Sequence, residues 1–250
     1  MRDRAHPQPE RLAGELSLRC FVHVAHGVPA VGRFKSSDTA SNGGTLAETW
    51  NGTTWTIDRT PDGIGASFSQ LDGVSCPSAT ACVAVGDYVS GLGNPQMLAE
   101  AWNGKKWAIE PTLSPTGLPG QESVLTGVSC ASAMACTAVG WYTVNPASNA
   151  PDQTLAEVWN ENRWAIGPTP NRPGVQGSVL SAVSCTSAVA CTAVGSGAGP
   201  LAEAWNENRW AIEPTPSPKG ASLNDLSCTS ATACVAVGSS GEATLAERFR

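Results

Sequence analysis

The chain of 250 residues is 41% hydrophobic and only 14% charged, enough apolar content for a packed core and too much for a disordered segment. A formal charge of -6 argues against the basic face that nucleic acid or an anionic membrane surface requires, and no apolar run approaches the roughly 18 residues of a spanning helix. With 26 Gly and 18 Pro, the chain is punctuated too often for long helices, which points to an all-β protein.

The first twenty residues, MRDRAHPQPERLAGELSLRC, are charged and broken by proline, and they make a poor signal peptide. Residues 1–13 read as an N-terminal extension and 14–250 as one repeat domain, with units at about 14–60, 61–113, 114–169, 170–216 and 217–250. In the first unit, Leu18-Arg19-Cys20 aligns with Leu226-Ser227-Cys228 of the last, and Val28 stands where a second cysteine is expected. Cys20 is therefore the unpaired ninth cysteine.

From the second unit onward one motif returns: VSCPSATACVAVG at 74–86, VSCASAMACTAVG at 128–140, VSCTSAVACTAVG at 183–195 and LSCTSATACVAVG at 226–238. Another follows it in step, LAETWNGTTWTI at 46–57, LAEAWNGKKWAI at 98–109, LAEVWNENRWAI at 155–166 and LAEAWNENRWAI at 201–212, with LAERFR as a shortened fifth copy. The first cysteines are 56, 54, 55 and 43 residues apart, a period suited to propeller blades.

Each unit offers four strand-like stretches, here called a to d. In the third unit they are 123–130, 135–142, 154–160 and 163–169. Strand b is short, small and apolar, as in a strand covered on both faces, whereas c alternates Leu155, Glu157 and Trp159 against Ala156 and Val158. Asn51-Gly52 is a hairpin-turn signal between c and d. Up-and-down units of this kind predict a β-propeller of about five four-stranded blades, the last one incomplete. A β-solenoid or part of a larger propeller is the alternative.

These paired motifs resemble a family of bacterial propeller-type repeat proteins that are often exported. The resemblance covers nearly the whole chain from about residue 14 and implies the fold and export; it implies no catalytic residue.

If a and b form a hairpin, the cysteines of each unit face each other across adjacent strands. Disulfides Cys76–Cys82, Cys130–Cys136, Cys185–Cys191 and Cys228–Cys234 are the natural reading, with free thiols, a metal or a redox site as alternatives. The only histidines, His6, His23 and His26, lie in or near the irregular first unit, so neither a metal nor a cofactor is called for. Disulfides imply an oxidising, extracellular or cell-surface location.

Glu48, Glu100, Glu157, Glu203 and Glu247 recur at one position of strand c. They could form a cation-binding ring, but buried carboxylates that accept hydrogen bonds and lock the blades fit the repetition better. The WNxxxW tryptophans are expected to fill space between blades. No Ser-His-Asp, Cys-His, P-loop or HExxH arrangement occurs.

Between each AVG glycine and the next LAE lie 13, 11, 14, 5 and 6 residues, while the a–b and c–d links keep their lengths from the second unit on. Variation is thus confined to one face, the usual place for recognition. At its loop bases stand Phe34, Tyr88, Trp141 and Tyr142, with Asp87, Asn145 and Asn149 nearby, a set suited to a glycan or a peptide. The same rings could instead cap strand b and cover the core. The expectation is a non-enzymatic binding propeller for glycan or protein; a polysaccharide hydrolase and a structural segment of a larger surface protein are the competing readings.

Overall fold

The computed structural model describes residues 17–20, 27–35, 43–91, 93–118, 120–145, 150–160, 162–175, 177–206, 208–215 and 220–249. The extension expected at 1–13, residues 14–16 and Asn149 lie outside them. Nineteen strands and no helix occur among the described residues. The first blade holds β1 (Ser17–Cys20), β2 (Val28–Lys35), β3 (Gly43–Trp50) and β4 (Trp55–Asp58). The second holds β5 (Ala66–Ser78), β6 (Ala81–Ser90), β7 (Pro95–Trp102) and β8 (Trp107–Ile109). The third holds β9 (Ser123–Ser132), β10 (Ala135–Tyr142), β11 (Gln153–Trp159) and β12 (Trp164–Gly167), and the fourth β13 (Val179–Ser187), β14 (Ala190–Ser196), β15 (Pro200–Asn206) and β16 (Trp210–Glu213). The fifth has β17 (Ala221–Ser230), β18 (Ala233–Ser240) and β19 (Ala243–Phe249).

Within each blade the strands pair antiparallel in chain order. One parallel pair, Gly43 with Phe68, joins the first two blades into a single sheet. The structure is a β-propeller arc, with the inner strands β5, β9, β13 and β17 side by side along its axis.

The motifs explain how neighbouring blades fit. Side chains alternate across a strand, so Leu, Ala and Glu of LAE point to opposite faces in turn. Large residues of one blade, such as Leu125, Cys136, Leu155 and Trp164, pack on small ones of the blade before, such as Val85 and Ala99. The same set recurs as Leu180, Cys191, Leu201 and Trp210 against Val139 and Ala156. Strand c is consequently buried on both faces from Thr154 to Glu157, and not on one as its alternation suggested. The alternation separates two interfaces, not core from solvent.

Near the axis, hydrogen bonds tie each blade to the next from the second blade on. Cys130 N–H donates to Ser75 Oγ at 2.9 Å, Cys185 N–H to Ser129 Oγ at 2.9 Å and Cys228 N–H to Ser184 Oγ at 3.1 Å. The serine before each cysteine is thus an acceptor for the following blade. A bulge in strand a adds a second tie: Thr126 Oγ1 donates to the Leu180 carbonyl at 2.7 Å. The AVG glycine faces this bulge, where a Cβ on Gly140 would overlap the Val124 carbonyl oxygen.

All four expected disulfides are present, and Cys130–Cys136, Cys185–Cys191 and Cys228–Cys234 are directly opposed in register. Their second cysteines are buried within the inter-blade cores. The first unit departs from its sequence alignment: Cys20 lies opposite Ala30 and Leu18 opposite Gly32, the partner that Leu223, not Leu226, finds in the last blade. Without the second cysteine, nothing covalent fixes the hairpin register there.

Gly140→Ala is expected to cost about 2 kcal/mol or more of unfolding free energy, the scale of an overpacked site. Gly91→Ala, where a Cβ meets nothing within 4 Å, should change stability by less than about 0.5 kcal/mol. Urea denaturation of the two variants measures the difference.

Candidate functional site: two faces of the propeller

The two faces of the arc are unlike. On one, the a–b hairpin loops are two residues long in blades two to five, and the c–d turns hold three or four. Asn51 and Asn103 make these turns rigid by accepting backbone N–H groups two and three residues on. On the other face the b–c and d–a links vary between 2 and 13 residues. The register of β10 confirms the sides: Cys136 is at the constant end, and Trp141 and Tyr142 are at the variable end.

The variable loops are braced by polar side chains that sequence reading did not single out. Gln121, 2% exposed, accepts at Oε1 from Ser114 Oγ (2.5 Å) and Thr116 N–H (3.2 Å), and donates from Nε2 to the Thr143 carbonyl at 3.2 Å. Its own carbonyl accepts from Gln96 Nε2 at 2.8 Å, so one residue links two blades and two loops. Thr45 N–H donates to Asp62 Oδ1 and Thr154 N–H to Asn171 Oδ1, pinning the d–a links of the first and third blades to strand c. A Thr at the start of c with an Asp or Asn seventeen residues on was the legible signal; Gln121 has no repeated counterpart that would flag it.

The expected ligand residues lie on this face but do not converge on one pocket. Tyr88 and Tyr142 are half-buried, each packed on the core it shares with the preceding blade. The Tyr88 ring lies so close on Gly63 that a Cβ there would overlap it, and Phe34 packs on Gly44 in the same way. Asp87 is buried and bonded to Gln70 Nε2 at 2.8 Å. Burial raises its pKa, and the Gln70 hydrogen bond and Arg33 partly oppose the rise. Trp141 is half-buried between Val124 and Thr154 in register, and Asn145 is exposed in the adjoining loop. Strand alternation separates these groups, sending the tyrosines toward one neighbouring blade and the Asp87 and Trp141 positions toward the other.

The constant face is more deeply cleft. A cavity of about 630 Å³ between the fourth and fifth blades is lined by Trp205, Asn206, Asn208, Arg209, Thr186 and Ser230. Its counterpart between the third and fourth blades measures about 230 Å³, and that between the second and third, closed by Trp159 and Trp164, about 100 Å³. The tryptophan pairs meet at tilted angles of 44–60°, with ring centroids 5.6–5.9 Å apart. Trp107, Trp164 and Trp210 are buried, as their packing role predicts.

The recurring glutamates do not form an axial ring, because strand c stands third from the axis and each carboxylate enters a separate inter-blade interface. Among the described residues, no group of three or more His, Cys, Asp or Glu could hold a metal ion. Glu157 Oε1 accepts the Leu113 N–H at 3.0 Å, which locks the second connection to the third blade. Neither carboxylate oxygen of Glu100, Glu203 or Glu247 has a hydrogen-bond partner among the described residues. Desolvation lifts Glu100 to about 8, helped by nearby Asp62, and Glu157 to about 7 against the Leu113 bond. It lifts Glu203 to about 8 against the Thr154 hydroxyl and Arg172. That hydroxyl is close enough to favour the ionised form, but its hydrogen bonds go to Thr169 and Asn171.

No family model and no curated protein matches the sequence. Among solved structures, the chain is similar to YCF48 from Cyanidioschyzon merolae, at 14% identity over 98% of this chain and 70% of that one, with a TM-score of 0.54. It is also similar to Aleuria aurantia lectin in complex with alpha-methyl-L-fucoside, at 13% identity over 94% and 78% of the two chains and a TM-score of 0.53. Another structure of that fungal lectin, described as a six-bladed β-propeller, gives 12% identity over 97% and 81% with a TM-score of 0.51. At these identities the likeness establishes the β-propeller fold.

The buried glutamates predict the pH dependence of stability. Their folded pKa values stand above the ordinary 4.5, so the folded state holds protons that the unfolded chain releases. This stabilisation is complete below about 4.5 and is lost as pH rises through 7 to 8. Thermal unfolding from pH 5 to 9 should show a falling melting temperature, and Glu100→Gln with Glu203→Gln should flatten the slope.

Proposed function

We propose that this chain is a non-enzymatic, extracellular binding propeller that recognises a glycan or a protein through its variable loop face. The observation that carries the reading is Trp141, a half-buried indole at the base of the longest b–c loop, two residues before Thr143, which takes bonds from Gln121 Nε2 at its carbonyl and from the Glu122 N–H at its hydroxyl. An indole gives a sugar ring or an apolar side chain a flat partner at little cost in conformational entropy. Asn145 beside it supplies amide donors and acceptors.

Extracellular placement rests on the four disulfides, which persist in an oxidising compartment. No helix among the described residues is long and apolar enough to cross a membrane. Glycan is the favoured ligand class, in line with the fucoside named for the Aleuria aurantia lectin. The absence of a basic balance, at -6 overall, argues against nucleic acid.

A glycan array followed by titration calorimetry tests the proposal. Trp141→Ala should weaken capture of the best array ligand at least about tenfold, as for an aromatic anchor, and Tyr142→Ala should weaken it less because that ring serves the core. The melting temperature of Trp141→Ala should stay near that of the parent. Loss of binding on Trp205→Ala, with Trp141→Ala unaffected, would move the site to the opposite face and refute the assignment.

A further inference from the structure

One face of the fifth blade is left uncovered among the described residues, although its counterparts in the earlier blades are buried. Val85, Val139 and Val194 are fully buried by the blade that follows each, yet their counterpart Val237 is 48% exposed and the neighbouring Val235 43%. Ala99, Ala156 and Ala202 are buried in strand c, whereas the equivalent Ala246 is exposed. Ser227, also exposed, takes the place of Ser75, Ser129 and Ser184, each of which accepts the cysteine N–H of the next blade. A cavity of about 610 Å³ runs along the inner strands and is bounded on this side by Val235 and Val237.

We infer that this face is a docking surface for a further blade of the same repeat, whose inner strand carries Leu-x-x-(Val or Leu)-Ser-Cys and lies in the 610 Å³ cavity. The three interior interfaces define the fit. The incoming cysteine N–H meets Ser227 Oγ, and the incoming Leu and Ala cover Val235, Val237 and Ala246, as Leu223 and Ala236 cover Val194 and Ala202 one blade earlier. Among the described side chains none is left to supply that half, whether from the same copy or a second one. Blades two to five already spend theirs on the blade before, and Ala30 and Leu46 of the first blade are buried at 0% and 2%.

One position sets this interface apart. Asp225 stands where Gly73, Gly127 and Ala182 allow inner strands to approach, a Cβ on Gly127 coming within 3.2 Å of the Ala182 Cα. Here the carboxylate is exposed and its Oδ1 accepts the Leu226 N–H at 2.8 Å, so the incoming inner strand meets a longer, charged side chain at this point.

The test fuses a second copy of residues 170–216 after Arg250 and maps side-chain labelling by mass spectrometry. In the unfused chain Val235 and Val237 should label strongly; in the fusion they should fall to the level of buried Val194. Ser227→Ala should lower the melting temperature of the fusion and leave the unfused chain unchanged. Closure of the added cysteine pair reports that the extra blade has folded, and a fusion with residues 61–113 serves where it has not. Unchanged labelling in both fusions overturns the inference. Protection already present in the unfused chain, with a dimer on sedimentation, overturns it in favour of a second copy.

Discussion

From the second blade on, the structure depends on the hydrogen bonds from the N–H groups of Cys130, Cys185 and Cys228 to the serine Oγ of the blade before each. Inner strands on neighbouring blades are not paired by a backbone ladder, so something else must set their spacing where the blades converge. Ser75, Ser129 and Ser184 do so at one fixed position of blades two to four, and the bulge residue Thr126 adds a carbonyl contact beside it. Farther out, spacing is set by size: leucine and tryptophan on one face meet alanine and valine on the next. A disulfide then holds the hairpin that carries both the serine and the inner apolar residues, so its removal would loosen the ladder and the core together.

Burial of a glutamate in the same interfaces works against this packing. A carboxylate excluded from water survives by pairing or by keeping its proton. Glu157 pairs with the Leu113 amide, and Glu100 and Glu203 are held toward the neutral form. The cohesion of the arc is therefore tied to pH in a way that its disulfides are not.

The scaffold separates two tasks between its faces. Short hairpins and Asn-braced turns repeat on one side, while loops of differing length, each fastened by its own polar contacts, occupy the other. Gln121 matters here because its side-chain amide joins two loops while its main-chain carbonyl takes a bond from the neighbouring blade. The clefts of the constant face instead follow from packing, closed where Trp159 and Trp164 fill them and open beside the three-stranded last blade.

The sequence alone made legible the four-stranded repeat unit, its strand order and the disulfides as the natural reading of the cysteine spacing, because each rests on local spacing repeated in register. Strand b of the third unit was read as 135–142 and is found as Ala135–Tyr142. Tertiary structure decided what alternation conceals: that LAE divides between two interfaces, that Tyr88 and Tyr142 pack inward on cores shared with the preceding blade, and that the glutamates are dispersed instead of ringed. It also revealed Gln121, which has no periodic counterpart, and the uncovered valines of the fifth blade, whose sequence matches that of buried ones. A one-dimensional pattern specifies which side of a strand a residue occupies. Only the placement of the next blade decides whether that side is core or surface.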